Sequence, residues 1–356
     1  LCFFENKEYS FIVYLSAIAT LIGATNNIIS APTRMQNKRK IYIITNTLSP
    51  LISYLISIPL LINGHYLIAL PVATIISSFT MEIAFYFLNK SWFNLRQFDY
   101  HILMQLLKIA IPLFPNFMIY WIFNSSDKLM ITNLIGVGAS GIYSVGSKLG
   151  HCSQLIYTAF AGGWQYFAFS TMKDENQVES NSKIYEYLGV CSYVFTMIIC
   201  MFSNLIFTIL FTNEYLSGYI IAPYLFLAPL LQMLFQVACN QFIIIKKTWP
   251  NMIILLNGAI LNIILNYFLI PVLGIEGASI ATLIGYTTSN IVCLIILKKI
   301  KLMFISIKFK IATILFIFYF ILWRMFFNTN ILLSGMVIII ITLVFYKLYK
   351  TDLYKL

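Results

Sequence analysis

The chain has 356 residues, of which 60% are hydrophobic and only 10% are charged, and its formal net charge is +11. A soluble domain of this length does not need so much apolar sequence, so the composition excludes an ordinary soluble protein and predicts repeated membrane crossings. The positive charge is spread over many loops and does not form one basic patch with aromatic residues, so it does not indicate nucleic-acid binding.

Apolar segments of about 20 residues, the length that crosses the hydrocarbon core of a bilayer, predict eleven transmembrane helices. In chain order they lie near residues 11–30, 41–62, 66–88, 109–131, 142–165, 187–211, 219–243, 251–272, 277–297, 311–327 and 331–346. The predicted fold class is therefore an all-α, polytopic transmembrane protein.

The cations alternate from loop to loop along these segments. Nineteen of the 23 Lys and Arg residues lie in residues 34–40, 90–108, 173–183, 246–247, 298–310 and the tail 347–355. Short basic loops stay in the cytoplasm, so these loops and the C-terminus are predicted to be cytoplasmic. The first residues then lie outside, which predicts that further helices precede them; a natural eleven-helix protein is the alternative.

Sequence motifs for catalysis are sparse. The GVGASG stretch at residues 136–141 matches the glycine spacing of a dinucleotide-binding loop, but it joins two apolar helices and no acidic residue follows at the required distance. We interpret it as a turn between helices. The aspartates are not paired, the histidines have no carboxylate or cysteine at ligand spacing, and no nucleophile elbow or P-loop occurs. Transport without a cofactor or a bound metal is therefore predicted, and an enzyme is not.

A first group of polar residues lies within the fourth and fifth predicted helices. Asn124, Asp127 and Lys128 are spaced at i, i+3 and i+4, so they share one helix face. Lys148 lies about two turns into the next helix. Because a charge near the bilayer centre costs about 2.5 to 3.5 kcal/mol, it needs a partner or water. Either Lys148 pairs with Asp127 and clamps two helices, or the lysines form a cationic wall for an anionic cargo.

A second group of polar residues lies in the seventh and eighth predicted helices. Gln232, Gln236 and Asn240 recur every four residues, and Asn262 and Asn266 repeat this spacing one helix later. Such stripes either join helices through hydrogen bonds or line a hydrated groove. The same two interpretations apply to Glu82, an acid within the third predicted helix. All of these residues are candidates for lining a substrate cavity.

The stretch at residues 112–149, PLFPNFMIYWIFNSSDKLMITNLIGVGASGIYSVGSKL, resembles the oligosaccharide flippase family of the multidrug, oligosaccharidyl-lipid and polysaccharide exporter superfamily. The shared features are a proline-opened helix, an N-S-x-D-[RK] cluster, a glycine-containing turn, and G-x-Y-S-V followed by a lysine. Lysine stands at position 128, where arginine is frequent in the family. The basic loop RMQNKRK and the stretches LNIILNYFLIP (261–271) and GIEGASIATLIGY (274–286) also fit the family.

The resemblance implies a MATE-like bundle of two six-helix lobes, often followed by two additional helices. Residues 1–90 would end the first lobe, 91–108 would be a cytoplasmic linker, 109–297 would form the second lobe, and 298–356 would supply a basic loop, the two additional helices and the cytoplasmic tail. The family's first helices would be missing from this sequence.

The implied function is movement of undecaprenyl-pyrophosphate-linked oligosaccharide, an O-antigen or capsule repeat unit, across the bacterial inner membrane. Lys128 and Lys148 would then act on the pyrophosphate, and Gln232, Gln236 and Asn240 on the sugar. Membrane lipid and other membrane proteins of polysaccharide assembly are the further partners expected. The alternatives are a cation-coupled multidrug exporter of the same superfamily, which needs buried acids, and a membrane enzyme of polysaccharide assembly.

Overall fold

The computed structural model describes residues 10–36, 38–94, 98–245, 247 and 249–353. In these ranges the chain is almost entirely helical and contains no strand. The α-helices are α1 (Ser10–Met35), α2 (Arg39–Ile62), α3 (Tyr66–Asn89), α4 (Tyr100–Leu134), α5 (Val137–Gly150), α6 (Ser153–Ser170), α7 (Gln177–Leu210), α8 (Ala222–Ile244), α9 (Trp249–Leu273), α10 (Ile275–Lys299), α11 (Ile307–Leu322) and α12 (Ile331–Leu353). A π-helical turn, Trp323–Phe327, follows α11.

Nine helices within the described ranges are long and apolar enough to cross a membrane. The all-α, polytopic fold class predicted from the sequence is thereby confirmed. The helices α4, α5 and α6 are not among the nine. These three helices carry much of the candidate site described below.

The chain divides by its contacts into two compact units, Leu1–Leu107 and Lys108–Leu356. In the first unit, α3 packs against α1 and α2. The Asn89 side chain at the end of α3 donates to the Ile29 carbonyl at 3.0 Å and to Thr33 Oγ1 at 2.8 Å, which joins α3 to α1. The lobe boundaries predicted from the sequence stay a prediction.

The second unit is built around α8. All residues of α8 except Gln232, Gln236, Ile243 and Ile244 are buried, because α5, α6, α7 and α10 pack around it. An α-helix that is apolar on all sides is stable only at the centre of a bundle. The few polar positions on α8 therefore face the interior of the second unit or openings within it.

Close packing of α9 against α10 depends on glycine. A Cβ atom built on Gly258 would lie 2.0 Å from Ser289 Oγ and 2.7 Å from the Gly285 carbonyl oxygen. No larger residue fits without moving the backbones apart. The two helices are therefore held at a separation that lets side chains further along them share hydrogen bonds.

The last two helices pack against α7. The Trp323 indole donates to the Cys200 carbonyl at 2.8 Å, and Tyr193 stacks on Phe316 with ring centroids 4.4 Å apart. The guanidinium of Arg324 forms a two-bond ion pair with the Glu276 carboxylate at the start of α10. These contacts make α11 and α12 part of the second unit.

The predicted single helix at residues 142–165 is corrected to two helices. The turn at His151 and Cys152 separates α5 from α6. At the end of α5, a Cβ atom on Gly150 would lie 2.6 Å from Leu225 Cβ and 3.0 Å from the Ala222 carbonyl oxygen. The backbone of α5 thus lies directly against α8, and the chain turns after this contact. Apolar content alone did not reveal the break.

The turn predicted at GVGASG is shorter than the motif: only Gly136 lies in it, and Val137 to Gly141 already belong to α5. Gly136 has φ of +110° and precedes the first residue of α5, and Gly274 has φ of +61° and precedes the first residue of α10. Glycine adopts positive φ without the steric cost that a side chain imposes. The two stretches that look alike in sequence, GVGASG and GIEGAS, therefore form similar starts of helices.

Candidate functional site

The centre of the candidate site is the carboxylate of Asp127 on α4, which is 3% exposed. Tyr143 and Thr282 donate hydrogen bonds to its Oδ2 at 2.7 and 2.5 Å. Asn266 and Asn262 donate to its Oδ1 at 2.7 and 3.4 Å. Each carboxylate oxygen therefore accepts two bonds, and one residue joins α4, α5, α9 and α10.

The donors around Asp127 also hold one another. Asn262 donates to Thr282 Oγ1 at 3.1 Å, and its Oδ1 accepts from Ser126 at 3.1 Å and from Asn266 at 3.3 Å. Both asparagines are fully buried. A buried polar network stabilises one arrangement of helices when its members find partners. This network fixes the side chains that stand behind the adjacent cavity.

A cavity of about 70 Å³ lies beside Asp127 within the second unit. The polar part of its lining comes from α4, α5, α6, α8, α10 and the turn after α5. The residues are Asp127, Lys128, Tyr143, His151, Gln154, Gln232 and Thr282. The apolar part includes Phe123 and Tyr286, whose rings stack with centroids 4.3 Å apart.

The break between α5 and α6 places two of the lining residues. His151 lies in the turn, and Gln154 follows in the first turn of α6. The turn is closed by a bond of 3.2 Å from the Cys152 amide to the Leu149 carbonyl, which is a shorter repeat than that of an α-helix. Interrupted transmembrane helices commonly occur at substrate and ion sites of transporters. The imidazole and the amide can both donate hydrogen bonds into the cavity.

The two lysines occupy different positions. Lys128 is exposed and lines the cavity, whereas Lys148 is exposed on α5 outside this lining. The alternative in which Lys148 clamps Asp127 is contradicted, because hydrogen bonds from neutral side chains surround Asp127. Helix geometry explains this. Tyr143 lies on the face of α5 that is directed toward Asp127, and Lys148, five positions later, lies about 140° around the helix from Tyr143.

The polar stripe on α8 is only partly in the cavity. Gln232 is half-buried, lines the cavity and hydrogen-bonds to Tyr120. Farther along α8, the Gln236 Oε1 and Asn240 Nδ2 atoms are buried and have no hydrogen-bond partner among the described residues. Such atoms are normally satisfied by water or by a ligand. The stripe therefore leaves hydrogen-bonding capacity unused inside the second unit.

The remaining two predicted site residues are Asn124 and Glu82. The side chain of Asn124 lies outside the described residues. Glu82 is half-buried on α3, in the first unit. The structure thus brings Asp127, Lys128 and Gln232 together at one cavity. Their role in substrate binding stays a prediction.

Sequence reasoning missed Tyr143, His151, Gln154 and Thr282 as members of the cavity. Tyr143 stands in the G-x-Y-S-V pattern, which marked the position but not its partner. For His151, the sequence shows only whether a carboxylate or cysteine lies nearby along the chain. It does not show whether a carboxylate on another helix lies close in space. Thr282 is 155 residues from Asp127, and a threonine in a small-residue helix carries no signal of such a contact.

The chain is similar to known proteins in sequence and in fold. The family model described as "Polysaccharide biosynthesis protein" matches residues 2–220. The fold is similar to that of a solved structure, the "Lipid II flippase MurJ, inward closed conformation", with a TM-score of 0.62 and 18% sequence identity. That similarity covers 97% of this chain and 72% of the other. A sequence search of curated proteins finds no match.

Proposed function

Because the chain belongs to the family of polysaccharide biosynthesis proteins, we propose that it is a flippase for a lipid-linked oligosaccharide. The proposed cargo is an undecaprenyl-pyrophosphate-linked repeat unit of O-antigen or capsule, moved from the inner to the outer leaflet of the bacterial inner membrane. In this proposal the chain catalyses no covalent step, and its C-terminus is cytoplasmic. Membrane lipid and other assembly proteins are its expected partners.

The observation that carries the proposal is the chemistry of the cavity beside Asp127. A sugar and a pyrophosphate cannot cross hydrocarbon unaided, because their charges and hydroxyls would lose their hydrogen bonds to water. The cavity supplies one ammonium from Lys128 and amides from Gln154 and Gln232 inside an otherwise apolar bundle. These groups replace water for a polar headgroup, while the polyprenyl tail stays in the lipid.

The roles of individual residues follow from their charge and position. Lys128 at the cavity and Lys148 on the exposed side of α5 would attract the pyrophosphate, since charge-assisted hydrogen bonds are the strongest that lysine makes with phosphate oxygens. Gln154, Gln232 and the stacked pair Phe123 and Tyr286 would contact the sugar. Asp127 would hold this wall in place through its four bonds without touching the cargo.

The membrane potential would assist outward movement. An inside-negative potential of about 100 mV contributes roughly 2.3 kcal/mol for each negative charge that crosses the full field. A dianionic pyrophosphate would therefore gain roughly 4 to 5 kcal/mol on moving outward. The similarity in fold to a protein described as a lipid II flippase supports a cargo of this kind.

The structure favours this cargo over a cationic drug. A multidrug exporter needs an acid that can meet a cation, but both carboxylate oxygens of Asp127 are occupied by donors from Tyr143, Thr282 and the two asparagines. The accessible charge at the cavity is Lys128, which would repel a cationic drug. The arrangement of charges at this cavity therefore does not favour a multidrug exporter.

The proposal can be tested in bacteria that lack their own repeat-unit flippase. Expression of this chain should restore the polysaccharide at the cell surface, detected with an antibody or lectin on intact cells. Lys128→Gln should abolish the restoration at normal membrane abundance, whereas the exposed Lys310→Gln, outside the cavity, should not. Surface display equal to that of the intact chain in the Lys128 variant would contradict the role of the cavity.

A further inference from the structure

A second cavity lies at the end of the second unit that carries the basic loops. It has a volume of about 580 Å³ and lies between the start of α7, the segment before α11 and the end of α12. This falls within the range of roughly 300 to 1,000 Å³ that is typical of pockets for small molecules. No residue of this cavity belongs to the site beside Asp127.

The walls of this cavity are fixed by one carboxylate. Glu186 Oε1 accepts from the Ser306 amide at 2.6 Å, and Oε2 accepts from Ser306 Oγ at 2.7 Å and from Tyr349 Oη at 3.3 Å. The Phe304 amide also donates to Ser182 Oγ at 3.0 Å. These bonds hold α7, the start of α11 and α12 together, so the cavity is a formed feature of the fold.

The lining carries charges of both signs. The wall from α7 presents Glu179 and Lys183, whose side chains pair at 2.7 Å and are 65% and 56% exposed. The opposite wall presents Lys308, whose Nζ lies 5.9 Å from the centre of the Tyr349 ring. A ligand that carries one positive and one negative group matches such a lining better than a ligand with a single charge.

The place of Lys308 in its helix favours an anion on that wall. Lys308 is the second residue of α11, where the helix dipole is positive, and the Phe309 amide there is capped by Ser306 Oγ at 3.2 Å. Phe304, which is 51% exposed, and Ile305 add an apolar part to the lining. Charged groups next to apolar and aromatic groups, at the ends of membrane-crossing helices, are typical of the boundary between lipid headgroups and hydrocarbon.

We propose that this cavity binds the headgroup of a zwitterionic membrane phospholipid, phosphatidylethanolamine. The phosphodiester contacts Lys308 at the start of α11, and the ethanolamine ammonium contacts the carboxylate of Glu179. The acyl chains extend past Phe304 into the bilayer. Lys183 already pairs with Glu179, so the ammonium adds a second cation to a wall that also carries Glu175. The inference does not depend on the proposed flippase function.

The test uses the full chain purified in detergent and incubated with vesicles of equal parts phosphatidylethanolamine and phosphatidylglycerol. Native mass spectrometry then measures which phospholipid stays bound. The intact chain should retain phosphatidylethanolamine in clear excess. Lys308→Gln should reduce this retention about tenfold, the effect of one charge-assisted hydrogen bond. Lys308→Arg should preserve it, and Lys310→Gln, on the same helix but outside the lining, should leave it unchanged.

The selectivity of binding separates a ligand site from a structural role. Glu179→Gln removes an exposed carboxylate and should shift retention from phosphatidylethanolamine toward phosphatidylglycerol by about tenfold. Equal retention of the two lipids by the intact chain would overturn the proposal. So would unchanged selectivity in Glu179→Gln, or a bound peptide in place of phospholipid. If Lys308→Gln fails to fold, Lys308→Arg and Glu179→Gln carry the test, since both keep the fold's buried contacts.

Discussion

Asn266 Nδ2 on α9 donates a hydrogen bond of 2.7 Å to Asp127 Oδ1 on α4, across 139 residues of sequence. Asn262 adds a longer bond from the same face of α9. Asp127 is held only by neutral donors. The position of α4 therefore depends on the ability of this one carboxylate to accept their hydrogen bonds. The wall of the cavity depends on it as well.

Asp127→Asn should therefore destabilise the second unit by about 2 to 3 kcal/mol, because an amide presents hydrogens to groups that already donate. The measurement is the midpoint of thermal unfolding of the chain in detergent. Asp174→Asn, at an exposed aspartate, is the matched control and should leave the midpoint unchanged. Equal midpoints for the two variants would show that the network around Asp127 contributes nothing.

Lys148→Arg should retain surface display of the polysaccharide, whereas Lys148→Gln should reduce it about tenfold through the loss of one charge-assisted contact with phosphate. The exchange of Asp127→Lys with Lys148→Asp should fail to rescue display, because these two residues form no pair in the structure. The amount of each variant in the membrane is measured in parallel. Rescue by the exchange would restore the clamp interpretation.

Gly258→Ala should destabilise the packing of α9 on α10, since the added Cβ would lie 2.0 Å from Ser289 Oγ and 2.7 Å from the Gly285 carbonyl oxygen. The expected loss is about 1 to 3 kcal/mol, as for other overpacked cores, and is read from thermal unfolding. Gly163→Ala is the matched control, because a Cβ there meets nothing within 4 Å. A Gly258 variant as stable as the control would mean that the helices separate freely.

The predicted topology can be checked by labelling single cysteines in intact cells. Cysteines placed at residues 90–94 and 298–310 should resist an impermeant maleimide, because the cations of these loops keep them in the cytoplasm. A cysteine at Glu214, between α7 and α8, should react. Rapid labelling of a basic loop from outside would reverse the topology.

Helix positions could be predicted from the sequence because apolar length is a local property. The helices α2, α3, α9 and α10 begin and end within a few residues of the predicted limits. Three helices extend well beyond them: α4 and α7 begin at Tyr100 and Gln177, and α12 ends at Leu353, in more polar sequence that hydropathy does not include. Helices of membrane proteins often continue past the hydrocarbon core, where water satisfies their polar side chains.

The partners of the polar residues could not be predicted in the same way. Asn262 and Asn266 were recognised as a stripe, but their bonds to Asp127 join positions 135 and 139 residues apart. The break at His151 was also missed; it follows the close contact of Gly150 with α8 and lies at the polar residues His151, Ser153 and Gln154. Each of these features depends on packing between helices, which cannot be inferred from the local sequence.

The central claim is that this chain moves a lipid-linked oligosaccharide between leaflets, and transport in proteoliposomes tests it most directly. The purified chain is reconstituted with fluorescent undecaprenyl-pyrophosphate-linked oligosaccharide in the inner leaflet, and an impermeant quencher reports its arrival outside. With an inside-negative potential, the intact chain should expose the lipid much faster than empty liposomes, and Lys128→Gln should not. Exposure at the rate of empty liposomes, or equally fast exposure with Lys128→Gln, would contradict the account.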